Sequence, residues 1–430
     1  MSIDAVRTEE HLSDVTGSVY QLADRARRAS RVLKRANRDW KDRALLAIAA
    51  GIHENRSKIF LENKKDLEAG QANGTSVAML DRLKLDDKRV DGLVSALHEL
   101  AGLPDPVGRV VRGETLPNGL RMRQINVPMG VIGTIYEARP NVTVDIAGLS
   151  LKSGNAVLLR GGTAALHSNQ VLVSIIRDAL ESVSLPRDLV TSIDQFGREG
   201  ADAMMGARGK IDVLIPRGGR DLIQRVVTTA KVPVIETGEG NVHIFLDSSA
   251  EEQMAIDILM NAKTQRPSVC NTVETLLIHK DSKVASPVLK ALSDAGVTLH
   301  VDARAAALVP DLKTVPAQDE DWRVEYMDMD LAVKVVDDID EALDHIREYS
   351  TGHTEAIVTS SLAAAELFIA EIESAAVIVN ASTRFTDGGQ LGLGAEVGIS
   401  TQKMHARGPM GLTELTTTKW IVQGDGHVRK

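Results

Sequence analysis

Val131-Ile-Gly-Thr-Ile-Tyr136 is a short apolar run. A helical stretch near 141–152 leads from it to a second run, Ala156-Val-Leu-Leu159, which breaks at once into Arg160-Gly-Gly-Thr163. The pattern then recurs. Leu189–Ile193, Ile211–Ile215 and Val232–Ile235 read as further short buried strands, with helices expected near 164–181, 197–206 and 218–230. Strands alternating with helices of about 10–15 residues predict a parallel sheet covered on both faces. A second series follows, with a helix at 250–265 and strands near 273–279, 331–336, 355–359 and 376–379. The fold class is therefore α/β.

The flanks read differently. Residues 1–102 are mainly helical: from Val15 to Ile59 there is no proline, and alanines and leucines recur at helical spacing. Nine cations lie between Arg25 and Arg43, spread around the helix and tempered by Asp24, Asp39 and Asp42, which reads as a solvated face. After Pro104-Asp-Pro106, residues 107–127 alternate apolar and polar around Pro117-Asn118-Gly119. Asn-Gly there signals a hairpin, because both residues tolerate φ > 0. A hairpin alone is marginal, and a last alternating run, Thr413–Val422, is expected to pair with it. Residues 381–412 are Gly-rich and read as irregular.

Composition narrows the function. The chain has 430 residues, 43% hydrophobic, with a net charge of −9 and only 3% aromatics, so a base-stacking nucleic-acid surface is not expected. The N-terminal stretch has four acids in fourteen residues and no apolar h-region, and no run approaches the ~18 apolar residues of a membrane span. A cytoplasmic protein with no membrane contact is expected. Phosphate-loop, zinc-helix and nucleophile-elbow motifs are absent, so no metal is expected. Gly392-x-Gly394-x-x-x-Gly398 misses the dinucleotide fingerprint by one residue.

Chemistry concentrates at a few positions. Cys270, the single cysteine, lies in Arg266-Pro-Ser-Val-Cys-Asn-Thr272, a loop between a helix and a strand. Read alone it is a small buried residue or a reactive thiol. Polar neighbours, with Lys263 and Arg266 close by to stabilise a thiolate, bring the second level with the first and leave both open. Glu236 ends Val232-Pro-Val-Ile-Glu, before Thr237-Gly-Glu-Gly240, and is either a turn acid or an acid aimed at a cleft. Arg160-Gly161-Gly162-Thr163 opens a helix, and Arg217-Gly218-Gly219 repeats the theme. Bare amides at such helix starts suit phosphate. No Asp or Glu occurs from Ile146 to Arg177, and an arginine in place of a ribose-binding acid favours NADP over NAD.

The order strand, Gly loop, strand, Gly loop, Glu, Cys resembles the aldehyde dehydrogenase superfamily. A narrower resemblance, to the gamma-glutamyl phosphate reductase family, runs from about residue 15 to residue 420. It rests on Met129–Asn141, Arg266–Cys270, Val379–Gly388, Ser400–Gly411 and the long motif Val336-x5-Ala-Leu-x-His345-Ile-x2-Tyr349-Ser-Thr-x-His353-Thr-Glu355-x-Ile357. The resemblance implies two Rossmann-type α/β domains plus a β-hairpin oligomerisation arm. It gives a cofactor domain at 1–106 and 127–236, a catalytic domain at 237–410, and the arm at 107–126 and 411–422. It further implies NADPH-dependent reduction of L-glutamyl 5-phosphate to L-glutamate 5-semialdehyde in proline biosynthesis, through a thioester on Cys270. Asn141 is the implied oxyanion donor and Glu236 the match to the superfamily's base. Lys263 or Arg266 is expected to meet the departing phosphate, and Arg384 and Asp387 the α-carboxylate and α-ammonium. A homo-oligomer and contact with glutamate 5-kinase are the implied partnerships. His345 and His353 read as hydrogen-bonding and packing residues. A sister enzyme acting on another acyl phosphate, acyl thioester or aldehyde, and a non-catalytic scaffold, are the alternatives.

Overall fold

The computed structural model describes residues 3–137 and 139–429. Ala138, within the motif Met129–Asn141, lies outside the described residues, as do Met1, Ser2 and Lys430. The chain forms two compact units: Met1–Glu236 with Gly392–Gly398 and Met410–Lys430, and Thr237–Leu391 with Ile399–Pro409.

The first unit opens with helices Ile3–Leu33, Arg38–Glu54, Arg56–Ala72, Val77–Leu83 and Asp87–Gly102. Asn37 and Asp86 cap two of them, accepting the N–H groups of Trp40 and Arg89. One cation of the basic run is not solvated. Lys41 is buried, with its ammonium 2.7 Å from Asp105, because a helix that packs on both sides must hold an inward charge on a partner. Strands β1 (Val110–Thr115) and β2 (Arg121–Pro128) precede a sheet of β3 (Val131–Tyr136), β4 (Ala156–Arg160), β5 (Val190–Ser192) and β6 (Val213–Arg217). The sheet order is β5-β4-β3-β6, all parallel. Every residue of β3 is buried, as two covered faces require. The run Val232–Ile235 is not a strand but a single bridge from Val234 to Leu214. Pro233 has no N–H to continue a ladder; it contributes only its carbonyl, to Leu214 N–H at 2.8 Å.

The second unit holds a seven-stranded parallel sheet. Its strands are β7 (Val242–Leu246), β8 (Val273–His279), β9 (Thr298–Val301), β10 (Val315–Pro316), β11 (Asp330–Val336), β12 (Thr354–Val358) and β13 (Ala376–Val379). They run in the order β10-β9-β11-β8-β7-β12-β13. Strand alternation splits the core in two. Ile244, Leu246, Leu276 and Ile278 join one cluster with Leu259 and Leu289, while Phe245 and Leu277 join the other with Leu343 and Phe368. Strands β7, β9 and β10 were not expected from the sequence. Within 381–412, β14 (Ile399–Ser400) pairs with β15 (Gly408–Pro409).

The last strand, β16 (Thr416–Gln423), pairs antiparallel with β2, and the arm is the three-stranded sheet β1-β2-β16. At its tip only Gly119 has positive φ, +90°. Asn118 stays out of that region and accepts Leu120 N–H on its side chain. The turn therefore takes Leu116 C=O to Gly119 N–H at 2.8 Å, and only one of the two residues supplies the left-handed backbone.

Candidate active site

In the first unit β4 and β6 lie on either side of β3, so the connections leaving the carboxyl ends diverge there. Such a switch point forms a ligand crevice. Glu137, Arg160-Gly161-Gly162-Thr163 and Arg217-Gly218-Gly219 all follow these strand ends. The Gly-loop amides are not all bare, contrary to the sequence reading. Gly161 N–H donates to Asp194 Oδ1 at 2.6 Å and Gly219 N–H to Glu137 Oε2 at 3.1 Å. A Cβ on Gly218 would fall 2.6 Å from Glu137 Oε2, so this carboxylate fills the loop. Asp194 also supplies an acid beside Arg160, which the acid-free stretch 146–177 concealed. Burial pushes the Asp194 carboxyl up to about 6. Burial holds Arg160 down; Asp194 and Asp202 favour its charge and the nearby Arg198 and Arg225 oppose it. Arg160, Arg198 and Arg225 thus act on one another electrostatically near the end of β4, a charge pattern that suits an anion.

Asn141 opens the Pro140–Lys152 helix, and its amide Nδ2 donates to Asp145 Oδ2 at 3.1 Å. Asp145 is pushed up to about 6 by burial, against the pull of Asn141 and Arg217. Glu236 is half-buried, with Gln224 Nε2 3.5 Å from Oε1.

In the second unit Cys270 is half-buried in the turn between the Glu252–Thr264 helix and β8. It therefore sits at the amino edge of its sheet, not the carboxyl edge where ligands of open α/β sheets usually bind. Arg384 lies on the Thr383–Phe385 turn, within electrostatic reach of Cys270, Asp387 and Arg266, and its Nε donates to Gln265 Oε1 at 3.0 Å. The two segments are cross-tied. Asn271 Nδ2 donates to Thr386 C=O at 2.9 Å, and Thr383 Oγ1 to Asn271 C=O at 2.7 Å. Asn271 and Thr383 thus tie the turn that carries Arg384 to the loop that carries Cys270; sequence reading missed both, since the pair lies 112 positions apart. Asp387 Oδ1 accepts Gly389 N–H at 2.9 Å and Gln390 N–H at 3.2 Å.

Lys263 does not reach this cluster. Its side chain is fully buried, and its ammonium lies 2.6 Å from Glu274 and 3.1 Å from Val273 C=O. Burial lowers its pKa and pushes Glu274 up to about 8. An ammonium spent on a buried carboxylate is not available to a departing phosphate, so the expected substrate contact is withdrawn. His345 packs among His243, Trp322 and Tyr349, with the Tyr349 ring 4.5 Å away, and burial drives it down to about 2.

The aldehyde dehydrogenase family model matches residues 8–327. Gamma-glutamyl phosphate reductase of Kineococcus radiotolerans is 57% identical over 419 residues, 96% of this chain and 97% of that protein. The chain belongs to the gamma-glutamyl phosphate reductases of the aldehyde dehydrogenase family. It is accordingly an oxidoreductase. The Thermobifida fusca reductase is 55% identical over 420 residues, 97% of this chain and 100% of that one. The crystal structure of the Thermotoga maritima reductase, 46% identical, superposes with a TM-score of 0.91 over 96% of this chain and 100% of its own. An acetylating aldehyde dehydrogenase from Geobacillus thermoglucosidasius, 16% identical, shares the fold, with a TM-score of 0.72 over 97% of this chain and 99% of that one.

Proposed function

We propose that this reductase converts L-glutamyl 5-phosphate to L-glutamate 5-semialdehyde and phosphate with NADPH, through a thioester on Cys270, as the second step of proline biosynthesis. The observation that carries the reading is the half-buried Cys270 with Arg384 in electrostatic reach of it, Arg266 and Asp387 being in turn within reach of Arg384. An acyl phosphate is already activated, so it needs a soft nucleophile and a place for the departing charge. The thiolate attacks the acyl carbon, the C–O bond to phosphate breaks, and phosphate leaves toward Arg266. Arg384 and Asp387 receive the charged α-groups. Negative charge on the carbonyl oxygen needs donors already in place; the Cys270 N–H and Asn141 are assigned that task. When bound, NADPH supplies the hydride that reduces the acyl carbon. Collapse of the resulting hemithioacetal frees the aldehyde and returns the electron pair to sulfur. Glu236 serves proton transfer or cofactor orientation, because a deacylating water would waste the intermediate.

The arginines around β4 support NADPH; Arg160, Gly162, Thr163 and Arg217 are left to form the cradle, while Gly161 and Gly219 N–H are held by Asp194 and Glu137 and the Glu137 carboxylate fills the loop at Gly218. The arm supports self-association: Val110, Val111, Trp420 and Val422 are exposed large apolar side chains on one three-stranded sheet. Among the described residues no helix is long and apolar enough to cross a membrane. The proposed biosynthetic role places the enzyme in the cytoplasm.

The test is the reverse reaction. Glutamate semialdehyde, phosphate and NADP are mixed and reduced nicotinamide is followed, with Cys270→Ala beside the wild type. Phosphate-dependent turnover lost in the variant is the expected result. Turnover without phosphate would identify a hydrolytic aldehyde dehydrogenase instead.

A further inference from the structure

The long motif 336–357 lies outside the chemistry described so far, yet the structure ties it to the thiol. Thr351 Oγ1 accepts Asn241 N–H at 3.1 Å and donates to Glu239 C=O at 2.6 Å. One hydroxyl thus uses both of its hydrogen-bonding capacities, as donor and as acceptor, on the two residues that bracket Gly240. Asn241 Nδ2 adds a bond to Tyr349 C=O at 2.9 Å. Gly240 N–H donates to Glu325 Oε1 at 3.1 Å. Gly240 itself lies directly against the nucleophile's backbone: a Cβ built there would stand 1.5 Å from the Cys270 carbonyl oxygen. No other residue fits, and any displacement of Gly240 moves toward or away from the Cys270 peptide.

We infer that Thr351 is a positioning residue for Cys270, clamping Gly240 against the Cys270 backbone and so fixing where the thiol and its own N–H stand. The inference rests on the assignment of Cys270 as nucleophile. Thr351 touches no reacting atom; it acts through two backbone segments. Geometry errors of about 1 Å at a reacting centre cost up to about 10²-fold in rate. A clamp of this kind therefore shows in kcat rather than in substrate affinity.

The test compares Thr351→Val and Thr351→Ala, which remove both bonds, with Thr351→Ser, which keeps them. The full-length enzyme is assayed in the reverse reaction, with Cys270→Ala as control. Because the chain has one cysteine, alkylation by iodoacetamide reads Cys270 alone. The expected result is a fall in kcat of about 10–100-fold for Val and Ala, with KM for phosphate and semialdehyde within about two-fold. Ser should return kcat to within about three-fold of wild type, and Cys270 in the Val and Ala variants should still be alkylated completely. Unchanged kcat in Val and Ala would overturn the inference. So would loss of fold in both variants, which would assign Thr351 to stability, or failure of Ser to rescue. Full turnover by Cys270→Ala would instead overturn the thioester reading, and is read separately from the Thr351 series.

Discussion

In the first unit Arg160, Gly161, Arg217 and Gly218 stand where strands end and helices begin; in the second, Gly240, Cys270 and Thr351 stand just before strands begin. Both sheets are parallel, so the two edges differ in what the backbone offers. A turn from strand to helix presents N–H groups and the positive end of the helix dipole. A turn from helix to strand presents carbonyls and the negative end. At the first edge the chain's own acids, Glu137 and Asp194, take up Gly219 and Gly161 N–H. At the second, side-chain donors tie down carbonyls: Asn271 to Thr386, Thr383 to Asn271, Thr272 to Arg266 and Thr351 to Glu239. A thiolate there would gain nothing from the backbone field, so any cation beside it has to come on a side chain, and Arg384 is within electrostatic reach of Cys270. The comparison teaches that one architecture presents backbone N–H groups at one edge, where its own acids take them up, and ties down carbonyls with side chains at the other.

The sharpest way to break this division is Cys270→Ala, which should lower turnover by about 10⁴-fold or more, as loss of a nucleophile does, measured by nicotinamide absorbance. Retained turnover would leave the amino edge without chemistry. Next comes Gly240→Ala, whose methyl would overlap the Cys270 carbonyl. It should cost about 10²-fold in kcat while KM for NADP holds, read in steady-state kinetics. At the carboxyl edge, Arg160→Ala should raise KM for NADPH about 10–100-fold, the worth of one charge-assisted hydrogen bond, with little change for NADH. Equal losses with both cofactors would remove the phosphate assignment.

The smallest effect concerns stability. Asp194 is raised from 3.8 to about 6 in the folded state, so the native protein holds this proton more tightly than the unfolded chain. Its contribution is fully present below about pH 4 and is lost as pH rises through 6. Asp194→Asn keeps an acceptor for Gly161 N–H and should gain about 1–2 kcal/mol at pH 8 but little at pH 4, measured by urea unfolding. A gain that is the same at both pH values would show that desolvation of the charge is not what it relieves.

The sequence made β3, β4 and β8 legible because their apolar runs are short and bounded by turn residues, and β16 with the hairpin because both alternate. It hid β7, whose His243 interrupts the apolar run Val242–Leu246; the ring Nδ1 of that histidine lies 3.1 Å from Glu355 Oε2, 112 positions away. Cys270 stood out by being alone. The fate of Lys263 did not, since only the fold shows its ammonium on Glu274. The Gly loops looked bare because Glu137 and Asp194 reach them from 82 and 33 residues away. Local pattern reveals strands and turns; long-range pairing decides which polar groups are left for a ligand.

The arm has a consequence for synthesis. β2 receives its outer partner only from β16, and Gln124 Nε2 reaches Thr418 Oγ1 across 294 positions. Asn155 likewise waits for Leu415 C=O, 260 positions on. As the polypeptide leaves the ribosome, the first unit can collapse early, but one edge of its hairpin stays open until nearly the whole protein has been made. An open edge is a template for another chain. The nascent protein therefore carries this template from the emergence of β2 until β16 follows, and slow decoding between residues 130 and 415 prolongs the exposure.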